Sequence, residues 1–419
     1  MSKNKFVNGP MNTVRLEGSI GSVKKTIYLF MDFHIPVEMQ TECDDIRSND
    51  IDKFLVDTFD KTEEMKKNIM YDMFVESNPL FPVLFPGESS TRGRYLFGKT
   101  ENLLTKSINI ESGKVLQSKE FNNVRFHYTD IRDYTTDKFR HFMFEIERII
   151  NFISHINLFI YDDLLLIIDG LKIIQSQIIT LYQLIYESKN STKSQTKIIY
   201  TKDQEVLAKY SEEDFNTIKK NLIYKIIRTY KHADVHQIIN KIISNELHDT
   251  FQNCIKQINQ MVISVNNLVP ITEQFKNKPF NTTLTKQKDG TYFYGIRDQD
   301  MHDYISTLTN IPNNLHNLIP GGVGLYLMDL YLLRRILDKD YVSNAVVYTG
   351  AHHSLNYIRI LVKYFDFKIT NYSYLKNNDL KKAEKIIINS KNMDELGELF
   401  YPPELKQCSN LSEFPELLT

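Results

Sequence analysis

Residues 344–361 read NAVVYTGAHHSLNYIRIL, and they set two histidines where a sheet protein commonly builds a site. Residues 345–348 are a short apolar, β-prone run, Thr349-Gly350 is a turn, and His352 and His353 stand at the mouth of a helix starting near Ser354. Gly350 permits the tight turn such a junction needs. A strand that ends in a glycine turn and hands polar side chains to a helix N-terminus is where open α/β sheets hold their ligands. Near the other end, residues 26–36 read TIYLFMDFHIP, an apolar run followed by Asp32 and His34. Strand alternation puts Asp32 and His34 on one face. A carboxylate beside an imidazole suits metal ligation or an oriented general base. Asp32, His34, His352 and His353 are therefore the candidate metal ligands. The plainer alternatives are that Asp32 caps a turn, that His34 packs before Pro36, and that the two later histidines are partly exposed at a helix start.

Asp130 and Arg132 end an apolar run, residues 123–130 (NVRFHYTD), so they could line the same sheet edge. An arginine there could hold an anionic substrate or grip a carboxylate with two parallel bonds; the alternative is a structural salt bridge. Asp329 with Arg334 or Arg335 reads better as an ion pair than as a site. His232 and His236 are four apart, the spacing of helical zinc ligands, but no glutamate adjoins the first and no third ligand is evident. The PGGVG stretch from Pro320 lacks the Lys-Ser/Thr of a phosphate-binding loop and reads as a turn. No GxSxG elbow and no cysteine motif is found, which leaves serine and cysteine hydrolases without support.

These residues need elements to carry them. Residues 12–31 are strand-prone, and residues 45–59 have helical spacing. Residues 79–98 are rich in Pro and Gly and read as loop. From about residue 136 to 188, and again from a capping-box-like SEED at 211–214 to about residue 267, apolar residues recur every three or four positions. The polar stretch 189–197 reads as a linker, and Asp289-Gly290 as a hairpin turn. A helix over 325–337 precedes the histidine segment; a short strand at 367–370 and helices at 379–388 and 394–400 follow it. The expected fold is α/β: a central, mostly parallel sheet flanked by helices, with a large all-helical insertion. Residues 1–134 and 268–396 would be the two halves of the α/β domain, 135–267 the insertion and 397–419 a tail.

Composition narrows the classes. The 419 residues are 42% hydrophobic and 25% charged with a net charge of −1, which gives no electrostatic case for nucleic acid or an anionic membrane. The most apolar stretch, 156–174, carries Asp162, Asp163 and Asp169, a poor bilayer span and a better buried helix. Three widely spaced cysteines, Cys43, Cys254 and Cys408, argue against a disulfide framework and for a reducing compartment. The first 18 residues have no apolar core, so secretion is not expected.

The two histidine segments together resemble the superfamily of the Tiki proteases, TraB proteins, haem-binding ChaN proteins and erythromycin esterase-like enzymes. Its members carry a GxxH-type motif after an N-terminal strand and another after a C-terminal strand. Val346 to His353 and the following Ile358-Arg-Ile-Leu match the second motif and make His353 its histidine. Met31-Asp32-Phe33-His34 departs from the first, having Met where the family has Gly. The resemblance implies a metal-assisted hydrolase of an amide or ester bond, acting on a small molecule or peptide. His34, His353, Asp130 and Arg132 would do the chemistry, with a divalent metal ion as cofactor. Haem binding is an alternative, and a non-catalytic protein retaining the fold is another. Composition and texture also resemble proteins of large AT-rich DNA viruses, which implies host cytoplasm or virion.

Overall fold

The computed structural model describes residues 5–33, 43–65, 68–77, 100, 103, 108–111, 114–117, 121–135, 137–156, 161–186, 212–274, 282–286, 292–296, 299–390, 393–416 and 418. Its strands are β1 (Phe6–Asn8), β2 (Asn12–Ile20), β3 (Val23–Asp32), β4 (Asn49–Asp50), β5 (Tyr71–Val75), β6 (Ile108–Glu111), β7 (Lys114–Gln117), β8 (Val124–Tyr128), β9 (Thr282–Lys286), β10 (Tyr292–Ile296), β11 (Asn344–Gly350), β12 (Lys368–Tyr372) and β13 (Cys408–Asn410). Its longer helices are α1 (Ile51–Glu64), α2 (Asp137–Ile156), α3 (Tyr161–Tyr186), α4 (Glu212–Ile227), α5 (Ala233–Ile242), α6 (His248–Gln274), α7 (Gln299–Leu318), α8 (Leu325–Asp338), α9 (Ala351–Phe365), α10 (Leu380–Asn389) and α11 (Asp394–Phe400).

Six strands form the main sheet in the order β12-β2-β3-β11-β5-β8. β3, β11, β5 and β8 are mutually parallel, while β2 and β12 run antiparallel on one side. The fold is thus mixed α/β with a mostly parallel sheet flanked by helices. β11 threads between β3 and β5: Gly350 lies opposite Asp32, and Val346 opposite both Tyr28 and Met73. A strand from late in the chain therefore completes the centre of a sheet begun by the first residues. Such a strand is buried on both faces and needs a continuous apolar run, which AVVY at 345–348 supplies.

The two faces hold different cores. Ile27, Leu29 and Met31 point to one side, with α8, α9 and the helical block; Tyr28 and Phe30 point to the other, with α1 and the tail residues Leu411 and Phe414. The connection leaving β3 runs over the second face to β5, and the one leaving β11 runs over the first face to β12. Connections that diverge from neighbouring carboxyl ends open a crevice there. The block formed by α2, α3 and α6 shares one contiguous core with the sheet: Ile146, Leu171 and Phe251 cluster with Leu29 and Phe74. Among the described residues one helix, Asp162–Tyr186, is long and apolar enough to cross a membrane, with 44% of its most apolar window buried.

Some expectations change. The PGGVG stretch is not a turn: Ile319–Gly324 is a π-helical segment that runs α7 into α8. Pro320 offers no N–H to the ladder and the glycines add no bulk, so the helix widens there without breaking. Cys43 and Cys408 are joined by a disulfide across 365 residues of sequence, against the expectation of none. β1 pairs with both β13 and β4, which brings the two ends together; cysteine spacing cannot reveal that. The case for a reducing compartment loses this support. His232 and His236 do not converge: one meets Asp340 and the other the Ile227 carbonyl. The expected loop 79–98, linker 189–197, Asp289-Gly290 and Ser211 lie outside the described residues, although β9 and β10 pair antiparallel as hairpin arms.

Candidate functional site at the carboxyl ends of the parallel strands

β5 ends at Val75 and the next residue is Glu76; β8 is followed by Asp130 and a single helical turn, Arg132–Thr135; β11 opens directly into α9. These three junctions meet. Glu76 Oε2 accepts the Gly350 amide at 2.7 Å, placing a carboxylate at the N-terminus of α9 where the helix leaves amides unpaired. Glu76 Oε1 accepts Arg132 Nη2 at 2.9 Å, and Arg132 grips Asp130 with Nε and Nη2 at 2.9 and 2.8 Å. His353, on the first turn of α9, brings Nε2 to 3.5 Å from Glu76 Oε1 and holds Nδ1 2.6 Å from Asp329 Oδ1 on α8. The other Asp329 oxygen accepts Asn356 Nδ2 at 2.6 Å.

His353 is 4% exposed, so its charge state is set by these neighbours. Burial alone would push its pKa down, but Asp329 and Glu76 together raise it to about 10, so the ring is an imidazolium at neutral pH. Both ring nitrogens then donate. Arg132 holds the Asp130 carboxyl below its ordinary range against the opposing effect of burial. Tyr357 adds a buried hydroxyl beside Asp329, whose ionisation burial and that carboxylate both oppose.

The polar line continues inward. Asn356 Oδ1 accepts Arg359 Nη2 at 2.9 Å, and Arg359 forks onto Glu246 at 3.0 and 2.5 Å. Tyr364 and Tyr326 donate to the same carboxylate at 2.6 and 3.3 Å. Glu246 sits on a π-helical turn, Ile243–Leu247, between α5 and α6. Such turns recur at functional sites because the extra residue re-aims a side chain. Arg359 and its hydrogen bonds hold Glu246 ionised although burial opposes it.

Of the residues singled out from sequence, His353, Asp130 and Arg132 are gathered here. His352 is exposed and makes no hydrogen bond to a described residue. Asp32 is buried on the opposite face of the sheet, where its Oδ1 accepts Tyr348 Oη at 3.0 Å and Gln407 Nε2 at 3.3 Å. Alternation decides this: Asp32 shares the side of Tyr28 and Phe30, away from α9. His34 lies outside the described residues. Arg334 and Arg335 do not pair with Asp329; Arg334 donates to the Thr229 carbonyl instead. Glu76, Glu246 and Asn356 escape the sequence reading. For Glu76 the available signal was the β-prone stretch at 71–75 (YDMFV), interrupted by Asp72, that precedes it.

A divalent ion does not fit this set. Among the described residues no three His, Cys, Asp or Glu side chains gather as metal ligands. Glu76 already takes Arg132 and an amide, and His353 is held as an imidazolium with no lone pair to give.

The chain is 32% identical to uncharacterized protein R706 of Acanthamoeba polyphaga mimivirus, over 98% of its own length and 96% of the relative's. It is 31% identical to uncharacterized protein R161 of the same virus, over 98% and 97%. No solved structure matches it. These full-length relatives group the chain with viral proteins, and its residues 5–419 match the family of unknown function DUF5847, to which the chain therefore belongs.

Proposed function

We propose that the chain is a hydrolase of ester or amide bonds in which Asp329, His353 and Glu76 handle the proton. The observation that carries this reading is the buried carboxylate–imidazolium–carboxylate line at the carboxyl ends of β5 and β11, the edge where open α/β sheets keep their chemistry. Asp329 orients the ring and stabilises its charge. Glu76 would take a proton from the attacking water and His353 Nε2 would return one to the leaving group. Arg132 would offset negative charge on the carbonyl oxygen. The match of residues 346–353 to the second GxxH-type motif supports kinship with the Tiki, TraB, ChaN and erythromycin esterase-like group. No step here is routed through a metal.

A second reading is a non-catalytic protein that uses the same line to dock α9 on α8 and the sheet. It is favoured by closure: His353 is 4% exposed, and its partners are satisfied by one another. The test is turnover of a panel of chromogenic acyl esters and a peptide library by wild type, His353→Ala and Glu76→Gln, with circular dichroism confirming fold. Turnover lost in both folded variants supports the hydrolase. Turnover equal in all three, or absent from folded wild type, refutes it and leaves the docking role.

A further inference from the structure

About six residues beyond Asp329 on α8, or roughly 9 Å along the helix, Arg335 has no carboxylate partner among the described residues. Its Nη1 donates to the Tyr331 hydroxyl at 3.0 Å and its Nη2 to His127 Nδ1 at 2.7 Å. A guanidinium only donates, so His127 Nδ1 must be the accepting nitrogen. The other nitrogen, Nε2, then carries the proton and gives it to Asp72 Oδ1 at 2.8 Å. His127 is thereby neutral, in keeping with the burial that lowers its pKa. Asp72 is consumed elsewhere: Arg125 forks onto it at 2.7 and 2.6 Å. Two guanidiniums thus face one carboxylate.

The nearby carboxylates do not redress this. Asp329 serves His353 and Asn356. Asp338 takes the Lys231 and His232 amides and Lys339. Asp340 takes His232 and Lys231. A largely buried cation without a counter-charge is costly, and donors stand near it: its own Nε–H and the Tyr341 phenol, with the Tyr128 phenol engaged by Tyr331. These side chains reach solvent at the edge of the sheet, where β8 is the last strand, Tyr341 is 51% exposed and the Arg125 side chain is 30% exposed. Arg125 also lies over the Tyr341 ring, 4.7 Å from its centroid.

We propose that this cluster binds an oxyanion, the phosphate or carboxylate of a ligand, seated on Arg335 beside Arg125 and Tyr341. A single anionic group would neutralise Arg335 and accept from its free N–H groups and the Tyr341 hydroxyl. The inference is independent of any hydrolytic chemistry.

The test is isothermal titration calorimetry of the full chain with inorganic phosphate and, separately, acetate, at ionic strength held constant with sodium chloride. Wild type, Arg335→Gln and Tyr341→Phe are compared. One-site binding by wild type, weakened at least tenfold in Arg335→Gln and severalfold in Tyr341→Phe, is the expected result. The tighter of the two anions identifies the ligand as phosphorylated or carboxylated. Should Arg335→Gln fail to fold, the exposed Tyr341→Phe decides. No heat with either anion beyond the chloride control, or wild-type affinity in the folded variants, overturns the proposal.

Discussion

Raising the pH from 6.5 to 8 is expected to weaken the fold through one residue, His353. Its ordinary pKa is 6.5, and Asp329 and Glu76 hold it at about 10 in the folded chain. Below pH 6.5 both folded and unfolded chains carry the proton, and the stabilisation is fully present. Between 6.5 and 10 the folded chain keeps a proton that the unfolded chain has released, so stability falls as pH rises. The slope is about 1.4 kcal/mol per pH unit. From 6.5 to 8 this amounts to about 2 kcal/mol, with little to screen it because the ring is 4% exposed. Above pH 8 an opposing effect sets in. Lys25 is buried at the start of β3, donating to the Lys339 and Val342 carbonyls, and burial lowers its pKa to about 8. Past that point the unfolded chain holds the extra proton on Lys25, and stability gains from rising pH. The assay is urea unfolding at pH 6.5, 7.2 and 8.0 for wild type and His353→Gln. The wild-type midpoint should fall across the series while that of the variant stays flatter. Parallel curves for the two proteins would show that His353 is not held as an imidazolium.

Three further outcomes follow from buried groups. Glu246→Gln leaves Arg359 5% exposed with its forked partner gone, and should cost ~3–5 kcal/mol in chemical unfolding; a loss under about 1 kcal/mol would mean that the guanidinium reaches water there. Gly18→Ala places a Cβ 2.5 Å from the Phe367 ring; it should destabilise by ~1–3 kcal/mol, and an unchanged melting temperature would show that the ring moves aside freely. Thiol counting with Ellman's reagent should find no reactive thiol in the native chain, because Cys254 is buried with its pKa raised to about 12 and Cys43 is bonded to Cys408. Denaturant alone should release one thiol and denaturant with reductant three; three without reductant would refute the disulfide.

What sequence could reveal was set by the range of the interaction. The junction of β11 and α9 was legible because all its signals are local: an apolar run, Gly350, then helical spacing. Asp130 and Arg132 were legible for the same reason, their forked pair being two residues apart. Glu76 was not, because its partners His353 and Gly350 lie 277 and 274 residues away, and the short run before it, interrupted by Asp72, is a weak mark of a strand end. Glu246 was hidden further, since a π turn has no strong sequence signature and its partner Arg359 is 113 residues on. The grouping of Asp32 with the later histidines failed on parity: register sets it opposite Gly350, but alternation turns its side chain to the other face.

The position of the three carboxylates bears on why this chain keeps charges in its core at all. Glu76 comes from the first third of the chain, Glu246 from the helical block and Asp329 from the late helix α8, and all three converge on α9 through His353, Gly350 and Arg359. Apolar side chains at those places would join the helices at least as stably, since desolvation consumes much of what an ion pair returns. Leu355, Ile358 and Leu361 on the same helix already supply apolar contact to the sheet and to the block, each worth about 1.5–3 kcal/mol. The charges therefore add something that burial of α9 does not require. They fix its azimuth and height, so that His353 Nε2 is aimed at Glu76. Arg359 supplies that aim from two turns away, its fork on Glu246 allowing little rotation of the helix. A merely structural anchor would need only one end of such a line. The line runs unbroken from the helical block to Arg132 at the sheet edge, which fits a side chain that has to be held in one place.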